Sequence, residues 1–126
     1  MALKVNTAIR RPGIFVVAPI GSIDAAGHAI FQEKVDSVLN QNPDVIIFDM
    51  EYADYINSMG IRVLVKAKKV MKKSGGKIMF INFQPQIKKV FEILNALPSL
   101  PVFASIQELD NYLDAMQTRS HLPVDD

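Results

Sequence analysis

The sequence predicts an α/β fold: a mixed β-sheet that opens with an N-terminal hairpin, continues as βαβ units and carries about four helices packed against it. Two strand-like runs meet at Pro12-Gly13. Val45-Ile46-Ile47-Phe48 and Ile78-Met79-Phe80-Ile81 are short, unbroken apolar runs, and segments with apolar residues at helical spacing alternate with them.

In chain order, Leu3, Val5 and Ile9 alternate with Lys4, Asn6 and Arg10, the period of a strand with one wet face. Beyond the turn, Ile14-Phe15-Val16-Val17-Ala18 lacks alternation and is β-branched and aromatic, which predicts a more deeply buried hairpin partner. Gly21 ends it. Asp24 is placed to cap a helix whose apolar side is Ile30, Phe31, Val35, Val38 and Leu39 and whose stop falls at Asn40 to Pro43. Val45 to Phe48 predicts a central strand covered on both faces, with Asp49 at its carboxyl end. Asn57 or Ser58 is the expected cap of the next helix. Ile61, Leu64, Val65, Ala67, Val70 and Met71 form its apolar side, and Ser74-Gly75-Gly76 stops it. After the strand at Ile78 to Ile81, Pro85 starts a helix carrying Ile87, Val90, Phe91 and Leu94, closed by Leu97-Pro98. A short strand around Val102-Phe103 and a last helix from Ser105 through Leu109, Tyr112 and Leu113 complete the set. Residues 1–116 form one domain on this reading, and 117–126, which lack any period, a loose tail.

At 126 residues there is room for one core, and 49% hydrophobic with 21% charged residues argues against disorder. Fourteen basic against thirteen acidic side chains leave a net charge of +1, which gives no bulk attraction to nucleic acid or to an anionic membrane. The absence of cysteine removes disulfides, thiolate metal sites and thiol nucleophiles. No apolar run approaches the length of a membrane span, and Met1-Ala2-Leu3-Lys4 leads into no export signal, so a soluble, cytoplasmic protein is expected.

The inventory for catalysis is thin. His28 and His121 are the only histidines and stand far apart in the sequence; each is first of all an exposed side chain. No glycine-rich phosphate loop follows a strand, and Gly75-Gly76 ends a helix instead of opening one, so no cofactor is expected. Open sheets of this kind form sites at loops beyond the carboxyl ends of central strands, which points to the segment from Asp49 to Gly60. There Asp49, Glu51 and Asp54 offer a weak metal-dependent enzyme reading, against the plainer one of solvated or capping acids. Arg62, Lys66, Lys69 and Lys73 recur at helical spacing and form a cationic stripe. Without interleaved aromatics it reads as the solvated face of a covering helix.

Ser58 stands where a polar loop becomes a helix, so its hydroxyl is expected to be accessible and near the positive end of the helix dipole. A phosphate there adds about 1.5 to 2 negative charges, enough to repel an acidic or apolar partner while leaving the fold largely intact. The structural alternative is that Ser58 is simply the helix cap.

Val17 to Asp24 reads V-A-P-I-G-S-I-D, Val45 to Gly60 reads V-I-I-F-D-M-E-Y-A-D-Y-I-N-S-M-G, and Gly75 to Phe83 reads G-G-K-I-M-F-I-N-F. From Leu3 to Ala115 this order resembles the STAS domain family, specifically its stand-alone bacterial anti-sigma factor antagonists. In that family a G-x-x-D follows the second strand, and a strand ending in aspartate leads to D-S-x-G at a helix start. By resemblance, Ser58 matches the serine phosphorylated by a partner anti-sigma kinase, Gly60 the small residue opening the helix, and Asp24 the acid of the earlier loop near the partner surface. The resemblance implies a cycle in which the unmodified domain sequesters a kinase-type anti-sigma factor and frees a sigma factor. Phosphorylation releases the domain and a serine phosphatase resets it. Asn57 departs from the family's aspartate. It caps as well, but it removes a carboxylate beside the acceptor hydroxyl, which bears on kinase recognition and phosphorylation.

The expectation is therefore a non-enzymatic, phosphorylation-switched binding module with Asp24, Asn57, Ser58, Met59, Gly60 and Arg62 at the partner surface. It needs no cofactor or metal and contacts neither nucleic acid nor membrane. The competing expectation is a STAS-like accessory or scaffold subunit of a transport or signalling assembly, unmodified at Ser58.

Overall fold

The computed structural model describes residues 2–96 together with Asn111, Leu113, Asp114 and Gln117. Its elements run β1 (Lys4–Arg11), β2 (Ile14–Ile23), α1 (His28–Leu39), β3 (Val45–Asp49), β4 (Ala53–Ile56), α2 (Ser58–Lys73), β5 (Lys77–Ile81) and α3 (Pro85–Ala96). Asn111, Leu113, Asp114 and Gln117 are also helical. The expected strand at Val102-Phe103 lies outside the described residues.

Strands β1 and β2 form the antiparallel hairpin, and β2, β3 and β5 pair in parallel, in the order β1-β2-β3-β5. Gly13 turns the hairpin at φ 83°, a left-handed conformation that glycine adopts without a Cβ penalty. Its carbonyl accepts from the backbone N–H groups of Asp44 and Val45, at 2.8 and 3.0 Å, which seats the start of β3 beside the start of β2.

Phe15, Val17, Ile46 and Phe48 are buried, and Ile78 and Phe80 continue that face on β5. Phe31 of α1 meets Phe48 at 6.2 Å between ring centroids, Phe48 stacks on Phe80 at 5.4 Å, and Phe80 contacts Phe91 of α3 at 5.2 Å. Such pairs add about 0.5–1.5 kcal/mol each beyond the area they bury. The opposite face, Val16, Ala18, Val45 and Ile47, is half-buried. The expected covering of β3 on both faces is thus corrected for the described residues: the helices gather on one side, and burial alternates along the strand although hydrophobicity does not. Ile9 is a second correction. It shares a face with its partner Phe15 but is 62% exposed, because α1 packs near Leu3 and leaves the hairpin end of this edge strand uncovered.

Gly75 takes φ 80° after the Ser74 cap, and the N–H of Gly76 returns to the Met71 carbonyl at 2.8 Å, so the glycine pair ends α2 as expected. The segment expected to be one long loop from Asp49 to Gly60 instead contains β4. This strand leaves the main path and pairs in parallel with the far end of β2, Ser22 opposite Tyr55 and Ile23 opposite Ile56. Gln117, expected to open the loose tail, is fully buried and bonded to Ile56, so the packed domain extends at least that far. Residues 118–126 lie outside the described residues.

Candidate functional site

The β2–β4 pairing decides where the site lies. The Asn57 N–H donates to the Ile23 carbonyl at 2.9 Å, and the Ser22 hydroxyl donates to Asp54 Oδ1 at 2.8 Å, so the strand ends are tied side by side. Asp24 and Asn57 each lie one residue beyond the paired strands. Two motifs from separate stretches of sequence therefore meet at one end of the sheet.

The first is a turn closed by Asp24. Its Oδ1 accepts from the N–H groups of Ala26 and Gly27, at 3.1 and 2.9 Å, and its carbonyl accepts from Gly27 and His28. The N-cap of α1 is Gly27, so Asp24 caps the turn that precedes the helix and not the helix itself. Its side chain remains half-buried.

The second motif is the start of α2. Asn57 is extended (φ −100°, ψ −177°) and its Oδ1 accepts from the Gly60 N–H at 3.0 Å, which makes it the N-cap. Ser58 is accordingly the first helical residue and not the cap. Gly60 is enclosed: a Cβ there would lie 2.6 Å from Ile23 Cγ2 and 2.7 Å from Ile56 Cγ1, so only glycine fits without displacing two buried isoleucines. The expected accessibility of the Ser58 hydroxyl is corrected. The residue is 1% exposed, with less than 1 Å² of Oγ reaching solvent. A polar residue at a helix start is exposed only if its neighbours leave it so, and here β4, invisible in the sequence, carries the helix start into the core. Met59 is half-buried and Arg62 exposed.

The acidic trio does not converge. Asp49 Oδ1 accepts from the Glu51 N–H and from Asn82 Nδ2, at 3.2 and 3.1 Å, while Asp54 faces Ser22. Among the described residues no group of three or more His, Cys, Asp or Glu side chains is arranged to hold a metal ion. The stripe of Arg62, Lys66, Lys69 and Lys73 is exposed along α2, with Lys66 3.9 Å from Asp36 of α1. His28 contacts the Ala25 carbonyl at its own helix start, and His121 lies outside the described residues.

Sequence reasoning missed Gln117. Its Oε1 accepts from the Ile56 N–H at 2.7 Å, and its Nε2 donates to the Ile56 carbonyl at 2.7 Å and to the Leu113 carbonyl at 3.1 Å. The carboxamide thus acts as one rung of an absent strand along the outer edge of β4. A glutamine in an aperiodic stretch carries no signal of this kind.

The STAS domain family model matches residues 7–109. A curated relative from Bordetella bronchiseptica named as an anti-sigma factor antagonist, BtrV, is 23% identical over 71% of this chain and 78% of its own length. Among solved structures, the anti-sigma factor antagonist SpoIIAA in its unphosphorylated form is similar with a TM-score of 0.66, at 17% identity, covering 73% of this chain and 81% of that one. The phosphorylated form of SpoIIAA from Bacillus is similar with a TM-score of 0.62, at 18% identity, covering 71% and 82%. Antagonists of this family are non-enzymatic binding proteins. No described helix is long and apolar enough to cross a membrane. With its hairpin, parallel strands, helix-opening glycine and matched residues in the expected order, the chain belongs to the STAS domain family.

Proposed function

We propose that this chain is an anti-sigma factor antagonist, a binding module that captures a kinase-type anti-sigma factor in the cytoplasm and so frees a sigma factor. The observation that carries the reading is the meeting of the Asp24 turn and the Asn57–Gly60 helix start at one end of the sheet. The relatives named as antagonists support the same role. Half-buried Asp24 and Met59 and exposed Arg62 form the docking surface, held in register by buried Asn57 and Gly60. Ser58 is the acceptor for the partner's kinase activity, and a serine phosphatase reverses the modification. Because Ser58 is closed to solvent, phosphorylation proceeds only from a form in which the start of α2 is uncovered.

Incubation with kinase-type anti-sigma factors and ATP, read by intact mass and by complex formation, tests this. Binding with a mass gain of one phosphate that is lost in Ser58→Ala is the expected result. The burial of Ser58 and the asparagine at position 57 favour a second reading, an unmodified accessory or scaffold subunit of a transport or signalling assembly. Stable binding to a partner without mass gain selects that one, and absence of binding to every such factor defeats the first.

A further inference from the structure

We infer that the groove between α2, β5 and α3 is a binding site for a single-chain amphipathic anion of the long-chain fatty acid class. The inference is independent of the proposed function and of Ser58. The groove has a volume of about 650 Å³, within the range of small-molecule sites. Leu64 and Met71 of α2, Ile78 and Phe80 of β5, Phe83 and Phe91 of α3 line it. The three phenylalanine rings contact one another at centroid separations of 5.0, 5.2 and 5.5 Å, so its aromatic wall is already formed.

The charged part of the lining has one sign. Lys68 and Lys72, one turn apart on α2, and Lys77 at the start of β5 border the groove and are exposed, and among the described residues no acidic side chain lines it. Nor, among the described residues, does any of the three lysines form an ion pair. Lys72 lies in the last turn of α2 and complements the helix dipole there, but Lys68 precedes that turn and Lys77 follows the helix, so capping does not account for the set. An apolar body with an anionic head answers both halves of the lining. The width of the occupant follows from burial. Leu64 and Met71 are buried and Ile78, Phe80, Phe83 and Phe91 half-buried, which leaves Val65 and Met79 as the exposed apolar residues of the groove. A partner helix seats a broad row of anchors on an exposed apolar face, whereas one acyl chain enters a recess whose apolar lining is withdrawn from the surface. The acyl chain therefore lies along the phenylalanine rings and its carboxylate meets the lysines.

Fluorescence titration of the full chain with cis-parinaric acid, below its micellar concentration, tests the site. Saturable binding is expected, displaced by palmitate and not by dodecyltrimethylammonium, which carries an alkyl chain with the opposite charge. Lys72→Glu combined with Lys77→Glu is expected to weaken binding about tenfold or more. Lys66→Glu combined with Lys69→Glu makes the same change of charge on exposed α2 positions that do not line the groove, and is expected to keep the affinity within about twofold. In the parent chain, which needs no substitution to be informative, palmitate is expected to shift the ε-methyl NMR signals of Met71 and Met79, which line the groove, and to leave those of Met50 and Met59 in place. Absence of saturable binding, equal loss in the two charge-reversed chains, equal displacement by the cationic amphiphile, or unmoved Met71 and Met79 signals each overturns the proposal. Displacement of nothing by palmitate but competition for the groove by an acidic amphipathic helical peptide overturns it in favour of a protein partner.

Discussion

At one end of the sheet two helix starts lie side by side, and they are held in opposite ways. The turn before α1 is built from neighbours in sequence: Asp24 bonds residues two to four positions ahead and stays half-exposed. The start of α2 is built from remote parts of the chain. Ile23 lies across the sheet beside it, Ile56 presses on Gly60, and Gln117 clasps Ile56 from the far side. Both starts are polar in sequence, yet one meets the solvent and the other the core. Polarity at a helix start therefore indicates a cap but not exposure, which depends on the elements that pack around it.

Substitutions that treat the two starts alike should separate them. The largest effect is expected for Ser58→Asp, which forces a carboxylate into a site that is 1% exposed. A loss of about 3 kcal/mol is expected from urea denaturation, since the helix dipole offsets only part of the desolvation. This replaces the expectation from sequence that charge at position 58 leaves the fold largely intact. An unchanged midpoint would mean that the site opens at little cost. Gly60→Ala comes next, with a loss of about 2 kcal/mol from pressing a methyl group on Ile23 and Ile56. Asn57→Ala removes the cap to Gly60 and should cost about 1 kcal/mol, whereas Asn57→Asp, which keeps the cap and restores the family's carboxylate, should stay within about 0.5 kcal/mol of the parent. In the kinase assay that second variant is expected to gain phosphate faster. At the other start, Asp24→Ala should cost only about 0.5 kcal/mol in thermal unfolding while weakening partner binding, because its bonds lie at the half-exposed rim. A stability loss at Asp24 equal to that at Gly60 would erase the distinction between the two starts.

Much of the fold was legible because its signals are local. The Pro12-Gly13 turn, the apolar runs at β3 and β5, the extents of α1 and α2 and the glycine stop at Gly75 each follow from backbone preference or periodicity within a few residues; the apolar sides were read too wide, since Ile30 of α1 and Val65 and Val70 of α2 are exposed while Val63 is buried. The burial of Phe31, Phe48, Val90 and Ile87 follows from the same patterns. β4 escaped notice because Ala53-Asp54-Tyr55-Ile56 is short, includes two poor strand formers and alternates in neither polarity nor burial; its partner on β2 supplies the reason for it to be extended. Of the candidate site, the cap at Asn57 and the need for a small residue at Gly60 could be read from type and spacing, and the adjacency of Asp24 could not.

The amino-acid order alone determined the hairpin, the parallel strands and helices that follow it, and the chemical identity of the helix start at Asn57–Gly60, because those rest on short-range backbone and side-chain preferences. Only the tertiary structure decided that Ser58 is covered, that the Asp24 end of β2 lies beside Asn57 and that Gln117 bonds the edge of β4. Exposure and long-range hydrogen bonding are properties of the packed assembly: a buried polar group must find its partner wherever the fold brings one, however distant in the chain.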